Sequence, residues 1–393
     1  MKQRVPFYYN EFGCITSKCK DNCCIGGWEI DDETYERYNN MTGELKHKIL
    51  DSITQNEDEE YCFKLCDGKC PMLDDNGLCE IHKNLGEDYL GVVCKQFPRY
   101  SEYYGTIKES GIGLACEEAV RIILSENRPF SMETAACDEE YEPSSEYDSS
   151  FALQIFAARE AVFKILAKES LSIHEKLIVI LDMGSKIQQC INTDEYDNIK
   201  SVVNDYLKEG IAHTLDETRN LSDSGQFEDI SLQQGIRQIL YPYEEMEVLN
   251  PEWEVILKDI IDSLFEQMSD EEYNILNEEF GTYMVSRAYE YRQLLEYLVF
   301  RYFAKSIYDY DFLGKCQMLV TNFFVIRQMD IIRWLDNHRE YSFKDRMDVV
   351  HIFSRQVEYS EDNIENLYED FIFDDIFKTD SLIAILWIDS ENI

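Results

Sequence analysis

The chain has 393 residues, of which 45% are hydrophobic and 13% aromatic, so it holds enough apolar material for two or three domains. Its 37 Lys and Arg residues stand against 78 Asp and Glu residues, which gives a formal net charge of −41. Because so acidic a protein repels phosphate groups, we expect neither nucleic acid nor an anionic membrane surface as its partner.

The chain is expected to lie in the cytoplasm. Its first residues, MKQRVPFYYN, lack the apolar segment of a signal peptide, and no apolar run approaches the ~20 residues of a membrane helix. In that reducing compartment cysteines serve as metal ligands more often than as disulfides. We therefore interpret the 13 cysteines first as candidate ligands.

Residues 1–127 are predicted to form a cysteine-rich metal-binding domain with short helices and loops. Turn-forming stretches such as CDGKCPMLDDNGLC dominate this part of the sequence. One amphipathic helix is predicted from about Asp32 to Ile53, with Asp31 and Asp32 at its N-terminus. A second helix is predicted to begin near Cys116. A bound metal commonly replaces a hydrophobic core in segments of this kind.

The remainder of the chain is predicted to be helical, so the expected fold class is mainly α. Residues 128–150 mix acidic residues with Ser and Pro, show no sustained period, and are interpreted as an acidic linker. Residues 151–393 are expected to form a helical bundle. Apolar residues keep the helical period over 270–304 and 307–335, and no proline follows Pro251.

Local signals mark some of the helix ends. Ser172 and Glu175 have the spacing of a capping box, which predicts that a helix begins there. Pro251 is expected in the first turn of another helix. The last apolar run, SLIAILWI, is compatible with a helix or with a short strand.

The cysteines are concentrated in the N-terminal part of the chain. Cys190 and Cys316 lie far from that part in apolar helical runs, and we interpret both as small core residues. In the stretch CKDNCCIGGW, one of the adjacent Cys23 and Cys24 is expected to face a metal while the other packs or occupies a second position. The two glycines that follow would let the chain pass close to the site. Trp28 is a candidate for covering the site from water and for binding a substrate or cofactor, and simple packing is its alternative role.

The clustered thiols predict a metal centre. A tetrahedral zinc ion or a four-iron cluster needs four thiolates that converge on one point. The candidate ligands are Cys19, Cys23, Cys24, Cys70, Cys79, Cys94 and Cys116. The predominance of thiols favours a 4Fe-4S iron–sulfur cluster, whereas the nearby His82 keeps zinc open as the alternative. The C-x3-C-x2-C spacing of many radical enzymes is not met, because Gly26 stands at the third position.

Three arginines are candidates for binding a substrate or cofactor: Arg99, Arg301 and Arg327. Arg99 follows the cysteines closely and is suited to bind a carboxylate, although an ordinary ion pair would explain it equally well. Arg301 and Arg327 lie in helices that otherwise resemble core, where a buried arginine needs a carboxylate such as Glu296 or Asp330. Their alternative role is to line a polar groove between the two parts of the chain.

The sequence lacks a complete nucleotide-binding loop. Gly111-Ile112-Gly113 is only a fragment of the G-x-G-x-x-G pattern, since Cys116 occupies the third glycine position. The spacing alone therefore leaves the place of any nucleotide undefined.

Several motifs in order resemble the flagellin lysine-N-methylase family. They are CKDNCC followed by GW, then CPMLDDNGLCEIHKNLGEDYL, CKQFPRY, ACEEAVRIIL and the later stretch YRQLLEYLVFRYFAKSIYDYDFLGKC. The resemblance spans nearly the whole chain, and its N-terminal part is also similar to putative zinc- or iron-chelating domains. The seven candidate cysteine ligands fall on the family's cysteine positions, whereas Cys62 and Cys66 are additional.

The resemblance implies a specific activity. It implies methyl transfer from S-adenosylmethionine to lysine side chains of flagellin, by a protein that carries an iron–sulfur cluster. The alternative is a non-enzymatic zinc- or iron-binding or redox-sensing module on a helical scaffold that binds other proteins. Binding of S-adenosylmethionine would distinguish the two.

Overall fold

The computed structural model of the chain describes residues 1–21, 23–25, 28–56, 59–66, 69–139, 148–223 and 230–391. Helices dominate this part of the chain, which confirms the expected mainly α fold class. The predicted linker, residues 128–150, is interrupted by a strand, because residues 132–136 pair with the N-terminal strand. None of the described helices combines the length and the apolar composition that a membrane span requires.

Short helices and strands alternate in the first third of the chain. The helices are α1 (Asp32–Asn40), α2 (Glu44–Asp51), α3 (Glu80–Leu85), α4 (Val92–Gln96) and α5 (Glu117–Leu124). The strands are β1 (Lys2–Pro6), β2 (Ile53–Gln55), β3 (Tyr61–Phe63), β4 (Arg99–Tyr104), β5 (Ile107–Ile112) and β6 (Met132–Ala136).

The rest of the described chain is helical. Its first helices are α6 (Ser149–Leu166), α7 (Ile173–Asn192), α8 (Ile199–Asp205), α9 (Ile211–Asp223), α10 (Leu232–Glu244), α11 (Pro251–Ile260) and α12 (Asp270–Met284). They are followed by α13 (Ala288–Tyr302), α14 (Ser306–Asp309), α15 (Phe312–Asp336), α16 (Phe343–Val357), α17 (Glu361–Phe373) and α18 (Thr379–Glu391). The run SLIAILWI, which the sequence left undecided, therefore lies in a helix.

Most of the local helix signals are confirmed. Ser172 caps α7 through a complete capping box with Glu175, and Pro251 is the first residue of α11. The helix predicted from Asp32 to Ile53 is instead two helices. Asp31 accepts a hydrogen bond at the start of α1, but Gly43 adopts a positive φ of 110° and separates α1 from α2.

A four-stranded sheet, which the sequence analysis did not predict, joins the two ends of the cysteine-rich part. Its strand order is β4-β5-β1-β6. The pair β4 and β5 is an antiparallel hairpin with Gly105 at its turn, β1 lies parallel to β5, and β6 lies antiparallel to β1. This sheet packs on the helices, so residues of β5 and α5 belong to the same hydrophobic core as the bundle.

The described residues form two separate hydrophobic cores. The large core, which we call the main body, includes the bundle, the sheet and the N-terminal residues Tyr8 and Phe12. The small core, which we call the small lobe, is built from residues between Ile30 and Ile81 and from partly buried neighbours as far as Leu90. The chain enters the small lobe near Trp28 and returns to the main body near Phe97.

Candidate functional site

A cavity of about 560 Å³ lies between the small lobe and the main body. Phe12 of the large core lines one side of it, while Tyr38, Phe63 and Met72 of the small core line the other. Most of its wall is apolar. A cavity of this size at the junction of two cores has the volume and the position of a typical small-molecule site.

Cysteine thiols border the same cavity. The cysteines that line it are Cys14, Cys19, Cys23, Cys24, Cys70, Cys79 and Cys94. Six of the seven predicted ligands are therefore brought together, and Cys14 joins them although it was not among the predicted ligands. Cys62 and Cys66 do not line the cavity. Gly26 and Gly27, which were expected to let the chain approach the site, lie outside the described residues.

Short elements place these cysteines around the cavity. Cys23 and Cys24 begin a single helical turn, Cys79 precedes the first residue of α3, and Cys94 lies within α4. The backbone N–H of Cys70 donates to the carbonyl of Cys24 at 2.8 Å, which joins the two cysteine-bearing loops. The seventh predicted ligand, Cys116, stands at the N-terminus of α5 outside the cavity wall.

The surroundings of Cys94 and Cys19 favour the protonated thiol. Burial raises the pKa of Cys94 to about 12, and the neighbouring Cys70 and Cys79 add to the increase. Burial likewise raises the pKa of Cys19 to about 12, with a further contribution from Cys116. A metal that binds these sulfurs would therefore have to displace their protons.

The donor set suits a soft metal or an iron–sulfur group, since thiolates are the ligands that such groups prefer. Within the described ranges, no three Cys, His, Asp or Glu side chains lie together in an arrangement that could hold a single metal ion. The assignment of the seven cysteines as ligands therefore stays a prediction.

Trp28 is fixed at the edge of the cavity. Its indole Nε1–H donates to the carbonyl of Cys23 at 2.7 Å, and its ring lies 5.3 Å from the ring of Phe97. Phe97 in turn packs 5.9 Å from Tyr359 of the main body. Trp28 and Phe97 lie where the chain crosses between the two cores. They are thus in contact with each other, and both line the cavity.

Arg99 also lines the cavity and is partly buried. One guanidinium nitrogen, Nη2, donates to the carbonyl of Phe12 at 3.3 Å, and the guanidinium carbon lies 4.8 Å from the centre of the Phe12 ring. Among the described residues no carboxylate lies within 4.0 Å of it. The ordinary ion pair considered from the sequence is therefore not formed in this part of the chain.

Arg301 lies in a buried network beside the sheet and does not line the cavity. Its Nε is 3.2 Å from a carboxylate oxygen of Glu358, which also accepts hydrogen bonds from Tyr297 and Tyr302. The guanidinium group lies 5.6 Å from the ring centre of Tyr359. Its partner is thus not Glu296, which pairs with Arg292. Arg301 supports the cavity only indirectly, because Tyr359 packs on Phe97.

The glycines of Gly111-Ile112-Gly113 make room for this network. A Cβ at Gly111 would overlap the hydroxyl of Tyr100, and a Cβ at Gly113 would overlap the hydroxyl of Tyr359 and approach Arg301 to 3.1 Å. The two residues therefore have a packing role in the structure.

Arg327 is a structural residue deep in the bundle. It donates to Asn277 at 3.0 Å and lies 3.9 Å from Asp389, which also contacts His174 at 2.6 Å. Burial raises the pKa of the Asp389 carboxyl, but Arg327, His174 and Asn277 lower it further, so that it falls to about 2. The neighbour suggested by the sequence, Asp330, is paired with Arg346. Arg327 is thus not a candidate for ligand binding.

Asp21 and Glu117, which sequence reasoning missed, attach the first cysteine loop to the main body. Asp21 accepts from His351 at 3.0 Å and also contacts Arg355, both on α16. Glu117 accepts from the backbone N–H of Asp21 at 2.6 Å. Their partners are distant in sequence, so no local pattern could have identified them.

Comparison with known proteins gives a consistent result. The profile of the FliB lysine N-methylase C-terminal domain matches residues 159–385. The lysine-N-methylases of Salmonella typhimurium and Salmonella choleraesuis are each 32% identical over 129 residues, which is 31% of this chain and 32% of the relative. The matched segment thus spans about a third of those relatives.

The flagellar biosynthetic protein FliU of Salmonella muenchen is also 32% identical over 129 residues, and there the match covers 76% of the relative. No solved structure matches the chain.

Proposed function

Because the chain belongs to the FliB lysine N-methylase family, we propose that it transfers methyl groups from S-adenosylmethionine to lysine side chains of flagellin. Lysine methylation is supported by the names of the relatives, and flagellin as the substrate is supported by the flagellar name of one of them. The net charge of −41 fits a cationic substrate, because it favours the approach of lysine-rich protein surfaces.

The observation that carries this proposal is the cavity between the two cores. The transfer forms a bond between the lysine Nζ and the methyl carbon, while the bond between that carbon and the sulfonium sulfur breaks and its electrons remain on sulfur. The attacking amine must first lose its proton to have a free lone pair. Such a displacement is favoured where the reactants are aligned and water is excluded.

The walls of the cavity supply such an environment. Tyr38, Phe63 and Met72 contribute an apolar surface that limits water, and aromatic rings such as Trp28 interact favourably with a cationic sulfonium. Tyr38 is itself fixed, because its hydroxyl donates to the carbonyl of Tyr89 at 2.7 Å. These residues bind and orient the reactants, and no side chain is assigned as the base.

The thiols are proposed to hold an iron–sulfur cluster. The candidates are the predicted cysteines that line the cavity: Cys19, Cys23, Cys24, Cys70, Cys79 and Cys94. When bound, a 4Fe-4S cluster would supply redox activity beside the cavity. Zinc is the alternative group for the same donors. We also propose a cytoplasmic location, where flagellin is available before assembly.

The test is the intact mass of a flagellin from the same source, co-expressed with and without this protein. Increments of one methyl group, absent when the protein is omitted, are the expected result. An unchanged mass of soluble flagellin would refute flagellin as the substrate. An unchanged mass together with failure to bind S-adenosylmethionine would favour the metal-binding or redox-sensing module instead.

A further inference from the structure

Arg99 is unusual among the arginines inside this acidic protein. Arg159 and Arg346, which are buried in the main body, each contact a carboxylate oxygen at 2.6 Å. Arg99 is partly buried as well, yet no carboxylate of the described residues lies within 4.0 Å of it. A guanidinium group that is partly shielded from water and has no carboxylate partner is available to bind an anion. The missing partner is accordingly expected from a bound molecule.

The position of Arg99 directs that partner into the cavity. The Phe12 carbonyl accepts from only one of the two terminal nitrogens, and a guanidinium group has five N–H donors. The lysines of the cavity wall, Lys83 and Lys95, are already beside Asp74 at 3.0 Å and Asp88 at 3.7 Å. Arg99 is therefore the cation of the described wall that lacks a carboxylate partner, and it is suited to one anionic group.

The rest of the cavity is suited to the uncharged part of the same molecule. Trp28 and Phe97 present two aromatic side chains whose positions are fixed by the Cys23 carbonyl and by Tyr359. Planar heterocycles bind to aromatic surfaces of this kind. Phe97 and Arg99 are separated by a single residue, so the aromatic and cationic parts of the wall are neighbours along the chain.

We propose that this cavity is the binding site for an adenosyl amino acid, with the ligand carboxylate at Arg99 and the adenine ring beside Trp28 and Phe97. The inference rests on the proposed methyltransferase function and adds the location and orientation of its donor. The cavity volume of about 560 Å³ lies within the usual range for a ligand of that size. The thiols then lie on the wall of the chamber in which the methyl group is transferred.

The test compares two unreactive ligands on the full chain purified without oxygen. S-adenosylhomocysteine carries both the adenosine and the carboxylate, whereas methylthioadenosine carries the adenosine and lacks the carboxylate. Arg99→Met should weaken the binding of S-adenosylhomocysteine by about 10- to 100-fold, the size of a lost charge-assisted hydrogen bond. The same substitution should change the binding of methylthioadenosine less than about twofold. Isothermal calorimetry measures both dissociation constants.

Arg219→Met is the matched control. Arg219 is exposed, lies 4.6 Å from the Trp387 ring and does not line the cavity, so its replacement should leave both ligands unaffected. Trp28→Phe should weaken both ligands, because each carries the adenine ring. The proposal is overturned if Arg99→Met leaves S-adenosylhomocysteine binding unchanged, if it weakens both ligands equally, or if the native protein binds neither.

The outcome separates the location of this site from the activity itself. Methylated flagellin together with unaltered binding in Arg99→Met would refute the site and leave the methyltransferase function standing. Conversely, selective loss of S-adenosylhomocysteine binding with no methylated flagellin would support the site and argue against flagellin as the substrate.

Discussion

Glu358 is the residue whose replacement tests the buried network most directly. Its carboxylate is almost fully buried and lies 3.2 Å from Arg301, while Tyr297 and Tyr302 donate to it at 3.0 and 2.9 Å. Glu358→Gln keeps the size of the side chain and an acceptor oxygen but removes the negative charge. Arg301 is then left without its carboxylate partner.

The expected loss is about 3 kcal/mol in the free energy of unfolding. Breaking a buried ion pair by removing one partner costs about 3–5 kcal/mol, because an uncompensated charge stays inside the protein. The Arg301 side chain retains 14% exposure, so some water reaches the guanidinium group and the lower end of that range applies. The tyrosine hydroxyls can still donate to the amide oxygen of the new side chain, which limits the further loss.

Urea unfolding, followed by far-UV circular dichroism, measures this change. Glu278→Gln on the exposed side of α12 provides the matched control, and it should shift the free energy by less than about 0.5 kcal/mol. If Glu358→Gln behaved like the control, the buried network would not contribute to stability and our explanation of Arg301 would be wrong.

Three further predictions concern the packing, the pH dependence and the metal. Gly113→Ala should destabilise the protein by about 1–3 kcal/mol through overpacking, while Gly13→Ala, whose Cβ meets nothing within 4 Å, should not; equal urea midpoints would contradict the assigned packing role. The pKa of Asp389, lowered from 3.8 to about 2, contributes about 2 kcal/mol of stability that is present above pH 4 and lost as the pH falls towards 2. Urea unfolding at pH 5 and at pH 2.5 should show a smaller decrease in the free energy of unfolding for Asp389→Asn than for the native protein. An identical pH dependence in both proteins would disprove the assignment. Finally, Cys94→Ser should lower the iron or zinc content measured by elemental analysis, whereas the buried Cys316→Ser should not; equal metal content would refute the separation of ligand from core cysteines.

Local signals explain which parts of the fold could be predicted from the sequence. The capping box at Ser172 and the proline at the start of α11 act within one helical turn, so their positions in the sequence were sufficient. The sheet depends on distant pairings instead. Lys2 lies opposite Ile107 in the parallel pair of β1 and β5, and no short pattern in the sequence encodes such a partner.

The arginines show the same limit within the helices. The sequence favoured carboxylates on nearby helical turns, Glu296 and Asp330, as partners for buried arginines. The observed partner of Arg301 is Glu358, which lies on a different part of the bundle. Ion pairs within one helix can be read from spacing, whereas those between helices depend on how the helices pack.

For the candidate site, residue types were more informative than spacing. Thiols in turn-rich segments identified six of the residues that line the cavity, and the candidates Arg99 and Trp28 also lie on its wall. Cys14 was missed because it belongs to no recognisable pattern, and Phe97 because its role depends on contacts with Trp28 and Tyr359. Whether the thiols bind a metal stays a prediction.

The shared core of the main body has a consequence for synthesis of the protein on the ribosome. β1 is made first, yet its parallel partner β5 follows about a hundred residues later, and the sheet packs on helices that are made later still. The small lobe has its own core between Ile30 and Ile81 and can therefore collapse while the main body is still incomplete. The small lobe is thus an early unit that carries thiols and has its own core, whereas the residues before it can pack only once the bundle has been made. The cavity between the small lobe and the main body forms only after both have folded.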